Sequence, residues 1–138
     1  MTLYFAKLDE NNLVSQVAGL LEDQCHDIDG NYDEIIGISH CKKTISSGTW
    51  IRCYKDGTRG QMPAVGYSYS SSDDVFVAPK AYSSWVLDSS KTDWTSPITR
   101  PVRTIDQMQG GFDYVWDEDA HQADNTTGWV LTKLYPEE

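Results

Sequence analysis

Thr2-Leu-Tyr-Phe-Ala-Lys-Leu8, then Asp9-Glu-Asn-Asn12, then Leu13-Val-Ser-Gln-Val-Ala-Gly19 is the stretch on which the fold turns. Two runs rich in aliphatic and aromatic side chains flank four residues whose Asp and Asn side chains bond their own backbone and tolerate turn geometry. The pattern predicts a strand, a turn and a strand. Residues 20–33 are polar and acidic with Gly30-Asn31 as a turn signal, and Leu20 to Gln24 reads as a helical turn. After Asp33-Glu34, the residues Ile35, Ile38, Cys41, Lys42 and Ile45 fall at helical spacing until Ser46-Ser47-Gly48 stops it, which predicts a short helix over 34–45. Thr49 to Tyr54 alternates as a strand, and Lys55-Asp56-Gly57-Thr58 carries the Asp-Gly signal of a tight turn, so a hairpin is expected after the helix.

From about residue 65 the character changes. Three loosely similar units each place an aromatic or apolar pair, a polar turn and another ring: Tyr67-Ser-Tyr69 to Phe76, Trp85 to Trp94, and Tyr114-Val-Trp116 to Trp129. Opposed side chains on paired strands come within roughly 5 Å, so a ring on each side of a turn suits a hairpin. Pro79, Pro97 and Pro101 interrupt the units and deny them one continuous sheet. The expectation is a β-rich α+β protein with an N-terminal α+β module over 1–64. An aromatic hairpin region over 65–138 packs on that module or on a neighbouring subunit. Two-stranded hairpins are marginal alone. Tyr69, Phe76, Trp85, Trp94, Trp116 and Trp129 are therefore the expected partner-binding residues.

Composition agrees with thin, ring-held sheets. Hydrophobic residues make up 39% of the 138, a modest share, while aromatics reach 12% with five Trp and eight Tyr. The formal charge is −10, and only residues 41–63 are net basic, with Lys42, Lys43, Arg52, Lys55 and Arg59 against Asp56. A net-negative chain lacks the clustered Lys and Arg that a bare phosphate backbone demands, which argues against nucleic acid as a partner. The basic middle reads as a solvated face, or as a surface that meets an acidic one, another copy's included. No apolar run approaches a membrane span, and the start lacks a signal peptide's pattern, so a soluble protein assembled in a cytoplasm is expected. Cys25, Cys41 and Cys53 are too few for a secreted disulfide framework and read as free thiols, with a Cys41–Cys53 pairing left open.

Candidate chemistry is sparse. Asp27 to Glu34 clusters oxygen ligands around a turn, but Gly30 stands fourth from Asp27 and not sixth, unlike the helical-hand calcium loop. Cys25-His26 and His40-Cys41 lack the two-to-four-residue spacing of structural zinc ligands. No metal or other cofactor is expected. The Asp117 to Asp124 stretch around His121 reads as a solvated loop, and there is no phosphate loop, no Gly-x-Ser-x-Gly and no His-Glu-x-x-His. No catalytic residue is assigned, and the chain is expected not to be an enzyme. Trp85, Trp94, Trp116 and Trp129 also fit a sugar-stacking surface, which keeps a carbohydrate-binding host-recognition module as an alternative.

Taken in order, Phe5-Ala-Lys-Leu-Asp-Glu-Asn-Asn12, Ile36-Gly-Ile-Ser-His-Cys41, Gly48-Thr-Trp50, Gly66-Tyr-Ser-Tyr69, Phe76-Val-Ala-Pro79, Tyr82-Ser-Ser-Trp-Val-Leu-Asp88, Asp93-Trp94, Pro97, Tyr114-Val-Trp-Asp-Glu118 and Trp129 resemble a family of small proteins of marine tailed phages, notably those of cyanobacteria. The resemblance covers nearly the whole chain; residues 98–111 and 119–128 are longer than the family pattern. It implies a virion structural or accessory protein, contacting other virion proteins or copies of itself. The expected role is capsid decoration, with a tail-fibre or baseplate accessory as the alternative.

Overall fold

A computed structural model describes residues 1–135; the last three residues of the expected second region, 136–138, lie outside the described residues. The chain is a β-rich α+β protein built from antiparallel pairs and short helices, as expected. It forms two compact units, one of Met1–Pro79 with Leu87–Asp93, the other of Lys80–Val86 with the described residues from Trp94 onward. The expected boundary at residue 64 differs because the first aromatic hairpin is part of the first unit's core.

In the first unit, β1 (Thr2–Leu8) pairs antiparallel with β2 (Val14–Leu21) from Thr2↔Leu21 to Leu8↔Val14. The Asp9 carboxylate makes the turn by accepting the backbone N–H of Asn11 at 2.8 Å and of Leu13 at 2.9 Å, while Asn12 takes the left-handed conformation, φ 61°. A 3-10 turn, Glu22–Cys25, follows β2. Asp33 then caps α1 (Glu34–Thr44) by accepting from the Ile35 N–H at 2.9 Å. The buried face of α1 is Gly37 and Cys41, with Ile38 packed beside them, whereas Ile35 is 71% exposed. The helical stripe was legible and its inward edge was not.

Residues 49–53 form β3, and its partner is β1, from Tyr4↔Cys53 to Leu8↔Thr49, giving the sheet order β2-β1-β3. The Asp-Gly turn exists, with Gly57 at φ 94° and Asp56 accepting from the Thr58 N–H, but β3 does not continue through it into a hairpin. The open edge of β1 offers five residue pairs, while Arg59-Gly60-Gln61-Met62-Pro63 beyond the turn has no alternating pattern and ends in a residue without an N–H.

Alternation along β1 sends its side chains to opposite faces. Leu3 and Phe5 join Leu20, Cys25, Cys41 and Trp50 on the side of α1, whereas Ala6 and Leu8 join Val14, Cys53 and Phe76 on the other. The second face is covered by the hairpin of β4 (Ser68–Ser70) and β5 (Val75–Val77). Gly37 sets the helix close to the sheet: a Cβ there would stand 2.4 Å from Phe5 Cζ and 3.1 Å from Cys25 Sγ. Cys25 and Cys41 thus share one cluster and Cys53 sits in the other; all three are free and buried. Burial pushes the Cys41 thiol up to about 11 and the Cys53 thiol up to about 12.

A two-stranded sheet is formed by β6 (Val86–Leu87) and β7 (Trp94–Thr95). The second unit holds β8 (Phe112–Trp116) and β9 (Trp129–Lys133), paired antiparallel from Phe112↔Lys133 to Trp116↔Trp129. Two short helices flank β8: α2 (Ile105–Gln109) and α3 (Glu118–Ala123). α2 begins in a reciprocal cap between Thr104 and Gln107. In α3, Asp117 Oδ1 accepts from the Ala120 N–H at 3.0 Å. The stretch read as a solvated loop around His121 is therefore a helix. No described helix is long and apolar enough to cross a membrane.

Candidate functional site

The six expected contact residues fall into three groups. Tyr69 and Phe76 face each other across the β4–β5 hairpin, ring centroids 5.2 Å apart and tilted by 51°. Their pairing is the expected one, but Phe76 has no exposed surface and packs on Ala6, Leu8, Val14 and Cys53. Its assignment as a partner contact is corrected: the ring finds cover inside its own unit, because the lower face of β1 would otherwise be bare. Tyr69 donates its hydroxyl to Asp74, and burial first, then that carboxylate, pushes its phenol up to about 12.

Arg59, expected on a solvated basic face, instead ties this region together. Its Nη1 donates to Glu34 Oε1 and to the Arg52 carbonyl, both at 2.9 Å, and its Nε donates to Asp74 Oδ1 at 3.1 Å. One guanidinium thus joins the start of α1, the end of β3 and the β4–β5 turn. Its own backbone is left-handed, φ 57°, an uncommon state for arginine that these three bonds hold in place.

Trp85, Trp116 and Trp129 come together in the second unit with Tyr82. The centroids of Trp116 and Trp129 are 5.3 Å apart and nearly perpendicular, at the register pair that closes the β8–β9 ladder. Trp85 lies 5.9 Å from Trp116 and 6.3 Å from Trp129, and Tyr82 lies 5.1 Å from Trp85. The two near-perpendicular contacts of Trp116, with Trp85 and with Trp129, set the negative face of one ring against the positive edge of the next. For Trp94, the Lys80 ammonium lies 5.0 Å from the ring centre. The ring of Trp85 thus reaches the rings of the β8–β9 hairpin, a rearrangement no local pattern announces.

The cluster is anchored through polar groups at its margin. The Glu118 carboxylate accepts from the Trp116 indole N–H at 3.2 Å, from Gln122 Nε2 at 3.0 Å, and from the Ser84 hydroxyl and backbone N–H. Those donors, Ser84 first, hold its pKa down to about 2. His121 Nδ1 is 2.7 Å from the Thr127 carbonyl and its ring is 5.1 Å from Trp116. Trp129 Nε1 donates to the Ile98 carbonyl at 2.8 Å. Gly128 is buried against Trp116, with a Cβ there only 2.3 Å from Cη2. Trp116 is left 5% exposed. A ring so enclosed offers no open face, so it too is corrected from contact residue to core, and the sugar-stacking reading loses its central platform.

What the second unit does expose is aliphatic. On the β8–β9 sheet, alternation puts Val115 and Val130, a register pair, on the face opposite Trp116. They are 40% and 43% exposed. This patch was not found from sequence because the rings drew the reading; Val115-Trp116 and Trp129-Val130 carried the signal as alternating partners of the same strands.

Elsewhere the carboxylates serve the backbone. Asp27 Oδ1 accepts the N–H of Asp29 and of Asn31, each at 2.9 Å, and Asp33 is spent on the α1 cap. Among the described residues no three His, Cys, Asp or Glu side chains gather as a metal site. Compared with known protein families, with curated proteins and with solved structures, the chain matches none of them.

Proposed function

We propose that this chain is a non-enzymatic structural protein of a tailed-phage virion that decorates the capsid, docking through the exposed face of its β8–β9 sheet. The observation that carries the docking surface is the Val115–Val130 pair on a sheet of only two strands. Such a sheet is marginal in water, and covering its bare face with a partner stabilises both. The ring cluster on the opposite face gives the patch a rigid backing, so little ordering is required on contact. Capsid and virion enter from the ordered resemblance of Phe5 to Trp129 to small marine-phage proteins.

The test is reattachment of purified chain to particles that lack it. The double variant Val115→Asp with Val130→Asp places like charges opposite each other on an exposed face. Its attachment is expected to fall at least tenfold while its near-ultraviolet tryptophan signal is retained. Undiminished attachment with that signal intact overturns the assignment of the face. Few copies on the tail and none on the shell favours the tail accessory instead.

A further inference from the structure

Two of the three free thiols converge. Cys25, at the end of the 3-10 turn, and Cys41, on the buried face of α1, pack in one cluster, whereas Cys53 lies in the cluster on the other face of the sheet. The meeting point is Gly37, one helical turn before Cys41. Helix side chains lean back over the residue four positions earlier, so the Cys41 side chain leans toward Gly37. A Cβ at Gly37 would stand 3.1 Å from Cys25 Sγ, which puts the Cys25 sulfur at that same spot. The missing Cβ leaves the space between the two thiols open. Besides burial, the charge of a Cys25 thiolate pushes the Cys41 thiol up, which fits two sulfurs at short range. The Cys25 thiol donates to the Leu21 carbonyl at 3.9 Å, too long to hold it firmly in another direction.

We propose that Cys25 and Cys41 are a redox-sensitive lock, joined by a peroxide into a disulfide that staples the 3-10 turn to α1. The inference is independent of the role proposed above. In the first step the Cys25 thiol gives up its proton and the thiolate attacks a peroxide oxygen. The O–O bond breaks, Cys25 becomes a sulfenic acid, and the departing hydroxide takes the proton as water. In the second step the Cys41 sulfur attacks the Cys25 sulfur. The S–O bond breaks, the S–S bond forms, and the leaving hydroxide takes the Cys41 proton as a second water. Two thiols are thus oxidised together by two electrons, and one peroxide is reduced. Cys25 is the point of entry: it is the one buried residue of a four-residue turn whose Glu22 and Asp23 are exposed. Opening so short a turn uncovers the thiol without breaking the sheet, and reclosing returns it to Cys41. A Cys41–Cys53 bond, left open by the sequence, would have to cross the sheet.

The native full chain is treated with hydrogen peroxide, its remaining thiols are alkylated in denaturant, and its tryptic peptides are weighed. No Lys or Arg lies between Leu8 and Cys41, so both cysteines stay on one peptide, while cleavage after Arg52 puts Cys53 on another. The expected product is the Leu8 peptide lighter by two hydrogens, with Cys53 alkylated, and dithiothreitol is expected to restore all three thiols. The bond closes a loop of 15 intervening residues. Such a closure is expected to raise Tm by roughly 5–12 °C over the reduced chain. Cys53→Ala is expected to leave the yield unchanged. Cys41→Ala is expected to abolish the bond and leave Cys25 as an oxyacid; should that variant misfold, the peptides of the unaltered chain carry the test. Three thiols still open to alkylation, a bond to Cys53 or a bond between two copies overturns the proposal. So does an oxidised chain that melts no higher than the reduced one.

Discussion

Replacing Gly37 by Ala asks whether α1 and the central strand are as closely fitted as the packing requires. The new Cβ would stand 2.4 Å from Phe5 Cζ, 3.0 Å from Phe5 Cε1 and 3.1 Å from Cys25 Sγ. Phe5 cannot swing aside, since it has no exposed surface and lies in the middle strand of the sheet. Overpacking a closed site costs about 1–3 kcal/mol, and this contact belongs at the upper end. Against it stands the helix preference of Ala over Gly, about 1 kcal/mol. The net expectation is a loss of about 2 kcal/mol, which for a chain of this size lowers Tm by roughly 8 °C. Thermal unfolding followed by far-ultraviolet circular dichroism measures it. Ser39→Ala, on the exposed side of the same helix, serves as the control and is expected to leave Tm unchanged or slightly raised. If Gly37→Ala is as stable as the parent, propensity outweighs packing and the close approach of α1 to β1 is refuted.

Gly128→Ala should act in the same way on the second unit: its Cβ would lie 2.3 Å from Trp116 Cη2, and displacing that ring is expected to cost about 2 kcal/mol and to reduce the near-ultraviolet tryptophan signal, which an unchanged spectrum would contradict. Acid should loosen this cluster through Glu118. Its folded pKa of about 2 lies below the ordinary value of 4.5, so its stabilisation is complete above pH 4.5 and is lost as the pH falls toward 2. Glu118→Gln is expected to flatten that part of the curve of stability against pH, and a curve of unchanged slope would show that the carboxylate is idle.

The local elements were legible where one short segment decides them. Asp9 to Asn12 holds its turn through its own carboxylate, and Asp33 caps its helix within two residues. The cross-turn pairs Tyr69–Phe76 and Trp116–Trp129 were legible for the same reason, since each hairpin brings its own ends together. The pairing of β3 with β1 joins residues about 45 positions apart and leaves no local trace. Trp85 likewise meets Trp116 and Trp129 across more than thirty residues. α3 was hidden because its acidic composition resembles a solvated loop, although Asp117 is a helix-capping residue three positions before Ala120. Reading rings as interface residues erred at Phe76 and Trp116, since in a chain poor in aliphatics the rings are needed first for the core. The aliphatic Val115 and Val130 were left for the surface.

Imaging the assembled particle by electron cryo-microscopy tests the central claim most directly. The account expects the chain on the capsid shell in many copies, with Val115 and Val130 covered by a neighbouring protein and Trp116 inside its own unit. A particle that lacks the chain, or that carries it with the β8–β9 face open to solvent, would contradict it.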